Sequence, residues 1–455
     1  MEMVLEFLRD VLSQPALLIG IMSCIGLIAL KRPFHKIMTG TLKPILGYLM
    51  LAAGAGVIVS NLDPLGKMIE HGFHITGVVP NNEAIVAVAQ KVLGVETMSI
   101  LVVGLLMNLC IARFTKFKYV FLTGHHSLFM ACLMSAVLGT AGLSGMELIL
   151  VGGFLMGAWS AISPAIGQSY TSKVTDGDEI AIGHFGSLGY YLSAWVAKYV
   201  GKAEDSTEDI EIPEKWGFLR DSTLSTALTM IVFYLIAAFA AGSEFVATLS
   251  GDMSPYLYAV MSAMNFAVGV TIVYSGVRMI LGDLIPAFQG IATKIIPNAI
   301  PAVDCAVFFT YAPTAVVLGF LSSFIGGIIG MLILGAVGGV LIIPGLVPHF
   351  FCGATAGIYG NATGGCRGAA VGAFLNGLAI TFLPALALPV LGQLGFQNTT
   401  FGDADFAVMG LVLGNAYEWV GMAGIYGIVA IAALVLIVPN FIKTKGKVIN
   451  YVEED

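Results

Sequence analysis

Long apolar runs, separated by short polar stretches, account for most of the chain. Such runs lie near residues 15–30, 43–62, 96–113, 119–140, 144–166, 222–248, 255–280, 304–324, 325–346, 368–394 and 405–439. An apolar segment of roughly 20 residues is long enough to cross a bilayer as an α-helix. The pattern therefore predicts an all-α integral membrane protein with about 11 transmembrane helices.

The segment 342–368 interrupts this pattern. It contains two prolines and seven glycines, which disfavour one continuous helix. Non-helical backbone is tolerated at membrane depth only where it is buried in protein or lines a water-filled cavity. We therefore expect a broken or re-entrant segment beside a transport path, with a cytoplasmic loop of unusual composition as the alternative.

Two halves of similar organisation flank the longest polar stretch, at about 170–221. We predict one membrane domain over residues 1–455. Its first repeat is at about 15–166 and its second at about 222–439, and residues 440–455 form a tail. The spacing of Gly54 and Pro64 recurs at Gly276 and Pro286. Five spans between two copies would invert their orientation, which predicts inverted repeats. Four aromatic residues in 189–199 also predict an interfacial helix within the linker.

Composition and charge agree with a multi-pass membrane protein. Hydrophobic residues make up 57% of the chain and charged residues only 11%, against roughly 25% charged residues in soluble domains. Lysine and arginine concentrate in residues 31–43 and 443–447. Because positive loops remain on the cytoplasmic side, we expect the N-terminus outside and the C-terminus in the cytoplasm.

Polar side chains beside the apolar runs are the candidates for function, because they are costly at membrane depth. They are His125, His184, Asp304 with the adjacent Cys305, and Thr355 in the interrupted segment. The structural alternatives are that the histidines occupy interfacial or loop-to-helix positions and that Asp304 caps the helix that follows. A capping role for Asp304 is compatible with contact to a solute.

The sequence contains neither a Walker A loop nor a nucleophile beside a base, so we predict no catalytic residue and no cofactor. The histidines lack metal-ligand spacing, and no two of the six cysteines form a C-x-x-C pair; no metal site is therefore expected. Imidazole and carboxylate groups suit a hydroxyl-rich or weakly acidic small solute. Phe129 and Phe185 can stack on the face of a sugar or lactone.

Four motifs carry a resemblance to a known family. They are residues 121–125 (Phe-Leu-Thr-Gly-His), 182–184 (Ile-Gly-His), 303–306 (Val-Asp-Cys-Ala) and 343–351 (Ile-Pro-Gly-Leu-Val-Pro-His-Phe-Phe). The sequence resembles the ascorbate-type membrane subunit, EIIC, of the bacterial phosphotransferase system (PTS). The similarity is in register over nearly the whole chain. Several motifs in register make this resemblance specific.

The resemblance implies a homodimeric carrier in the bacterial inner membrane. A core domain would move against a dimerising scaffold domain in an elevator-type motion. Separate IIB and IIA subunits would phosphorylate the sugar-like substrate on the cytoplasmic side, since no polar stretch of the sequence is of the size that either needs. The carrier itself would contribute no covalent step.

The resemblance also assigns candidate substrate contacts. His125, His184 and Asp304 match family residues that contact ascorbate, while a Thr-Tyr pair of the family falls at Asn82 and Glu83. Two glutamines of the ascorbate carriers fall at Phe129 and Phe185. Because of these changes the substrate stays open: it is ascorbate, a related sugar acid, a polyol or a pentose-like solute. The alternative function is a gradient-driven secondary transporter that uses Asp304 or Glu83 as its proton or cation site.

Overall fold

The computed structural model describes residues 11, 14–74, 77, 78, 80, 82–177, 179–210, 222–392 and 400–441. Its α-helices are α1 (Pro15–Ala29), α2 (Phe34–Phe73), α3 (Asn82–Phe114), α4 (Gly124–Thr140), α5 (Gly145–Thr175), α6 (Ser187–Val200), α7 (Ser222–Ala241), α8 (Ser243–Ser250), α9 (Pro255–Lys294), α10 (Pro313–Ala336), α11 (Leu346–Gly392), α12 (Ala404–Val420) and α13 (Met422–Ile437). The predicted all-α membrane architecture is confirmed. In the described part of the chain, seven helices are long and apolar enough to cross a membrane.

A small sheet lies among these helices and positions the polar residues. Its strands are β1 (Tyr119–Phe121), β2 (Ala181–Ile182) and β3 (Ile300–Val303), in the order β1-β3-β2. All three are parallel, and every strand residue is buried. Because the strands are parallel, the connections that follow their carboxyl ends meet at one edge of the sheet.

The helices pack as two bodies. The first, which we call the α2–α9 body, contains α1, α2, α7, α8 and α9, whose helices pack mainly on one another; the second, the sheet body, contains the sheet and the remaining helices. In the first body the two 40-residue helices cross closely at glycines. A Cβ atom on Gly54 would lie 2.8 Å from the carbonyl oxygen of Gly269, and one on Gly47 would lie 2.9 Å from that of Gly276. The helices are thus antiparallel, as inverted repeats require, although the repeat boundaries remain a prediction.

Helix α11 reverses direction at Gly364 and Gly365, where the backbone is not helical. Residues eight apart in a straight helix are separated by roughly 12 Å along the axis. Here a Cβ atom on Gly360 would overlap the carbonyl oxygen of Gly368. The chain therefore folds back on itself as a helical hairpin, which confirms the predicted broken segment in 342–368.

The packing of α10 shows that the two arms of this hairpin are antiparallel. Gly319 and Gly327 of α10 contact Gly357 and His349 of the first arm, so the first arm and α10 have opposite directions. Along the second arm, Gly326 contacts Phe374 and Gly330 contacts Thr381, so the direction is the same as in α10. The glycines allow all three helices to approach closely.

Several predicted boundaries differ from the structure. The two runs predicted at 304–324 and 325–346 form one helix, α10, preceded by the 3₁₀ turn Cys305–Thr310. The last run, at 405–439, is two helices that meet at Gly421. Helices α7 and α8 are bent by 116° and give an eighth candidate span if they count as one. Apolar sequence therefore does not reveal every helix boundary, because glycine permits turns inside an apolar run.

Helix α6, which was predicted to be interfacial, packs by one face on other helices. Tyr190 and Tyr191 are buried, whereas Trp195 and Tyr199 are exposed. One face of α6 packs closely against α11. This helix is therefore part of the sheet body, and only its outer face retains the aromatic character that was read from the sequence.

Candidate functional site

A cavity of about 950 Å³ lies between the two bodies. The α2–α9 body contributes one face of α2, including Tyr48, Leu51, Ala52, Ala55, Val59, Leu62, Asp63, Gly66, Lys67 and Glu70. The sheet body contributes Asn82, His125, His126, Phe129, His184, Asp304, Cys305 and Asp403, with residues 344–348 and Phe351. Most of the polar groups that sequence analysis selected thus line one wall, opposite a largely apolar stretch of α2.

His125 lies in the first turn of α4, directly after β1 and a two-residue connection. Its Nε2 atom is 3.5 Å from Oδ2 of Asp304. Its Nδ1 atom is 3.4 Å from the hydroxyl oxygen of Tyr48 on α2. This histidine therefore connects the carboxylate of its own body to the opposite wall of the cavity.

His184 follows β2 and is held in a fixed orientation. Its Nδ1 atom accepts a hydrogen bond from the backbone N–H of Gly186 at 3.1 Å, and the hydroxyl of Tyr190 lies 2.8 Å from the same atom. A neutral imidazole that accepts at Nδ1 carries its proton on Nε2. The ring also lies against that of His126, with centroids 3.8 Å apart.

Asp304 follows β3 and has both roles that the sequence left open. Its Oδ1 atom accepts from the backbone N–H of Ala306 at 3.2 Å, which caps the 3₁₀ turn. Its Oδ2 atom faces His125. Cys305, the next residue, also lines the cavity. The carboxylate is thus fixed by the backbone on one side while its other oxygen faces the polar wall.

Asp403, which sequence analysis missed, forms a second carboxylate site with Asn82. The side-chain amide of Asn82 donates to Oδ2 of Asp403 at 2.5 Å, and its oxygen accepts from the N–H of Gly402 at 2.9 Å. The thiol of Cys352 donates to Oδ1 of Asp403 at 2.7 Å. Asp403 could have been found from the sequence, because it is an acidic residue directly before an apolar helix. The same feature selected Asp304.

Two predicted residues lie away from the cavity wall, and one lies outside the described side chains. Phe185 is fully buried and stacks on Phe121, with ring centroids 4.6 Å apart. Thr355 is buried in α11, and its hydroxyl donates to the carbonyl of Phe351 at 2.8 Å. The side chain of Glu83 is outside the described residues. Of the two aromatic replacements, therefore, only Phe129 faces the cavity.

Asp405 fixes the loop that carries His184. Its carboxylate accepts from the hydroxyl of Ser187 at 2.8 Å, the backbone N–H of Leu188 at 2.9 Å and the indole N–H of Trp159 at 3.2 Å. Its own N–H donates to the carbonyl of Phe185 at 2.9 Å. The carboxylate caps the start of α6 and attaches the loop to α12.

The fold brings together potential metal ligands that the sequence spacing did not reveal. One trio is His184, Asp304 and Cys305; the other is His184, Cys352 and Asp403. Within each trio the ligand atoms lie within 4.8 Å of one another. The members come from segments far apart in the chain, so no local motif could have indicated them.

A polar cavity between two helical bodies of a multi-pass membrane protein is the arrangement expected of a membrane permease. Residues 10–405 match the family model described as "PTS system sugar-specific permease component", and the chain belongs to this family. The chain is also similar to the "Ascorbate-specific PTS system EIIC component" of Mycoplasma pneumoniae (strain ATCC 29342 / M129 / Subtype 1), with 28% identity over 416 residues. That match covers 78% of this chain and 62% of the relative, so the chain spans about three fifths of the relative's length.

Proposed function

We propose that the protein is an EIIC carrier that moves a small polyhydroxylated solute across the bacterial inner membrane. The observation that carries the proposal is the row of His125, His184 and Asp304 at the ends of three parallel strands, facing a cavity of about 950 Å³. This volume is in the range of small-molecule sites, roughly 300–1,000 Å³. Family membership supports phosphorylation of the solute by separate IIB and IIA subunits.

The charges around the cavity favour a neutral cargo over an anion. Its described lining includes four carboxylates, on Asp63, Glu70, Asp304 and Asp403, and one ammonium group, on Lys67. Two unit charges 4 Å apart interact by about 4 kcal/mol at an effective dielectric constant of 20. Carboxylate oxygens accept hydrogen bonds, so they match a cargo with several hydroxyl donors. We therefore propose a polyol or a neutral sugar as the cargo in preference to ascorbate, which appears in the name of the relative.

The test is calorimetric titration of the purified carrier with ascorbate and with a panel of neutral pentoses, pentitols and hexitols. We expect at least one neutral compound to bind about tenfold more tightly than ascorbate, a difference of about 1.4 kcal/mol. Tighter binding of ascorbate than of every neutral compound would refute the charge argument. Binding of none of them would remove the cavity as the cargo site.

Two matched variants show whether the aromatic wall sets this preference. Phe129→Gln places an amide at the cavity, and we expect it to change the ratio of affinities for ascorbate and the neutral cargo. Phe185→Gln makes the same chemical change inside a stack of aromatic rings. It should lower stability and leave that ratio unchanged. A changed ratio in both variants would mean that the effect does not depend on contact with the cargo.

We propose an elevator-type motion in which the sheet body carries the cargo along the α2–α9 body, which also forms the homodimer contact. The wall with His125, His184 and Asp304 belongs to the sheet body, and the facing side of α2 belongs to the α2–α9 body. The chain passes between the bodies in three places, at residues 74–81, 201–221 and 295–299. Few contacts link the bodies, among them the one between Tyr48 and His125. This arrangement permits relative sliding without unfolding either body.

A cross-link between the bodies should stop transport, whereas a cross-link within one body should not. A Cβ atom on Gly66 would lie 3.8 Å from Leu346, so Gly66→Cys combined with Leu346→Cys places two thiols across the interface. Mercuric ion can bridge them. The control pair is Thr97→Cys with Ser135→Cys, whose hydroxyls are 2.7 Å apart within the sheet body. Equal loss of transport in both bridged variants, or full transport by the bridged first pair, would contradict the sliding motion.

The same reconstituted system separates the two energy sources. We expect accumulation to require IIA, IIB and a phosphoryl donor and to persist when an uncoupler is added. Accumulation without IIB that an uncoupler abolishes would instead identify a gradient-driven transporter, for which the pair of Asp304 and His125 offers a protonatable site.

A further inference from the structure

The cavity wall contains a combination of side chains that sugar recognition alone does not require. His184, Asp304 and Cys305 all line the cavity and are buried in the sheet body. Their ligand atoms lie within 4.8 Å of one another. They come from the connections after β2 and β3, so the sheet itself holds them together.

Imidazole nitrogen, thiolate sulfur and carboxylate oxygen are the donor types that Zn²⁺ uses in proteins. Bond lengths of about 2.0–2.3 Å place ligand atoms in a tetrahedral site roughly 3.3–3.8 Å apart. The 4.8 Å limit on the trio's separations is about 1 Å above this range, so a bound metal must draw the three side chains together. His125, whose Nε2 atom is 3.5 Å from Oδ2 of Asp304, lies on the same wall but outside this trio.

Other groups hold the proposed ligands in place, as the outer partners of metal ligands usually do. The hydroxyl of Tyr190 lies 2.8 Å from Nδ1 of His184 and can accept a hydrogen bond from it, which leaves Nε2 free to bind a metal; the hydrogen bond from the N–H of Gly186 is lost in that tautomer. The backbone N–H of Ala306 holds Oδ1 of Asp304 and leaves Oδ2 directed at the cavity wall. The carboxylate is thus already oriented before any ligand enters, whereas the imidazole binds a metal once its proton has moved to Nδ1.

We propose that His184, Asp304 and Cys305 form a binding site for Zn²⁺ or a similar thiophilic divalent cation. Binding forms a bond between the metal and the sulfur of Cys305 and releases the thiol proton to water, with no change of oxidation state. Because the same residues line the cargo cavity, the bound metal excludes the cargo and acts as a competitive inhibitor. The exclusion of cargo rests on the proposed function, whereas metal binding does not.

The first test uses Co²⁺ as a spectroscopic probe with the full-length carrier in detergent. We expect a thiolate-to-cobalt charge-transfer band that saturates at one Co²⁺ per chain and is lost when Zn²⁺ is added. Cys305→Ser should abolish the band. Cys110→Ser, which removes an exposed thiol on α3, is the control and should retain it. Thermal unfolding of each variant shows whether it is folded.

The results discriminate between the two trios and against an adventitious thiol. Cys352→Ser should keep the charge-transfer band. If Cys352→Ser lost the band and Cys305→Ser kept it, the metal would bind at the other trio, and the assignment would be overturned. Absence of a band in the unmodified carrier, or its loss in Cys110→Ser, would overturn the site. Asp304→Asn is a second variant that leaves the thiol intact, and it should weaken Co²⁺ binding at least tenfold.

Competition is measured separately, by titrating cargo at several concentrations of Zn²⁺ above its dissociation constant. We expect the apparent affinity for cargo to fall in proportion to the zinc concentration, and only when Cys305 is present. Undiminished cargo binding to the zinc-loaded carrier would overturn the competition. If the carrier binds Co²⁺ through Cys305 but binds no candidate cargo, the proposed metal site stands and the proposed function is refuted.

Discussion

Asp304→Asn should weaken cargo binding by about 10- to 100-fold while leaving the carrier folded. The asparagine oxygen can still accept from the N–H of Ala306, so the 3₁₀ turn keeps its cap. The variant loses the charge opposite His125 and one strong acceptor for a cargo hydroxyl. Hydrogen bonds to charged groups are worth about 1.5–3 kcal/mol, and about 1.4 kcal/mol corresponds to a tenfold change in affinity.

His184→Ala should reduce binding by at least as much, because it removes the imidazole and opens space in the wall. It also leaves the hydroxyl of Tyr190 and the N–H of Gly186 without their acceptor. Unpaired buried donors cost about 1–3 kcal/mol each, so this variant should also be less stable than Asp304→Asn. Comparing the two substitutions separates the loss of a cargo contact from damage to the loop.

The matched control is His349→Ala. This histidine, in the first arm of the hairpin, is equally buried, but its Nδ1 atom bonds to the hydroxyl of Ser323 and its ring packs against Gly327, both in α10. We expect it to lower the unfolding temperature and leave the affinity for cargo unchanged. Calorimetric titration of the three variants with the cargo identified above is the measurement. Unchanged affinity in both Asp304→Asn and His184→Ala would remove these residues from the cargo site.

Three of the predicted site residues that line the cavity share one property, which is a polar group directly after a short apolar strand. His125, His184 and Asp304 stand out because their neighbours are apolar and a charged or polar group at membrane depth needs a partner. The hairpin in α11 was visible for a comparable reason, since proline and glycine exclude a single helix. Local composition was sufficient in both cases.

The remaining parts of the site depend on contacts between distant segments. Asp403 reaches Asn82 across 321 positions, and Tyr48 reaches His125 across 77. Phe185, which directly follows a site histidine, points instead into an aromatic cluster of its own body. Neighbouring residues on a loop can face opposite directions. Only the packing of the surrounding helices determines which of them contacts the cavity.

Gly365→Ala should destabilise the carrier far more than Gly421→Ala. Both glycines are at turns between helices and have nearly the same backbone conformation, with φ and ψ of 59° and −153° at Gly365 and 64° and −148° at Gly421. Residues other than glycine are strained there by about 1–3 kcal/mol. At Gly421 an added Cβ atom meets no atom within 4 Å, so this backbone strain is the whole expected effect.

At Gly365 the added Cβ atom would also overlap the carbonyl oxygens of Lys202 and Asp205. Overpacking adds about 1–3 kcal/mol, and the overlap can be relieved only by moving the loop 201–210 away from the hairpin. That loop is held by the N–H of Cys366, which donates to the carbonyl of Asp205 at 2.8 Å. It also caps α10, since Glu208 accepts from the N–H of Thr314 at 3.0 Å.

Two measurements on purified carrier separate strain from displacement of the loop. Thermal unfolding gives the loss of stability in each variant, and limited trypsin digestion reports how accessible the backbone after Lys202 has become. We expect faster cleavage there in Gly365→Ala and no change in Gly421→Ala. Equal losses of stability with unchanged cleavage would mean that the hairpin turn tolerates a side chain. In that case the contact of the loop with Gly365 would not be what holds the two arms, and the hydrogen bonds of Cys366 and Glu208 would be sufficient.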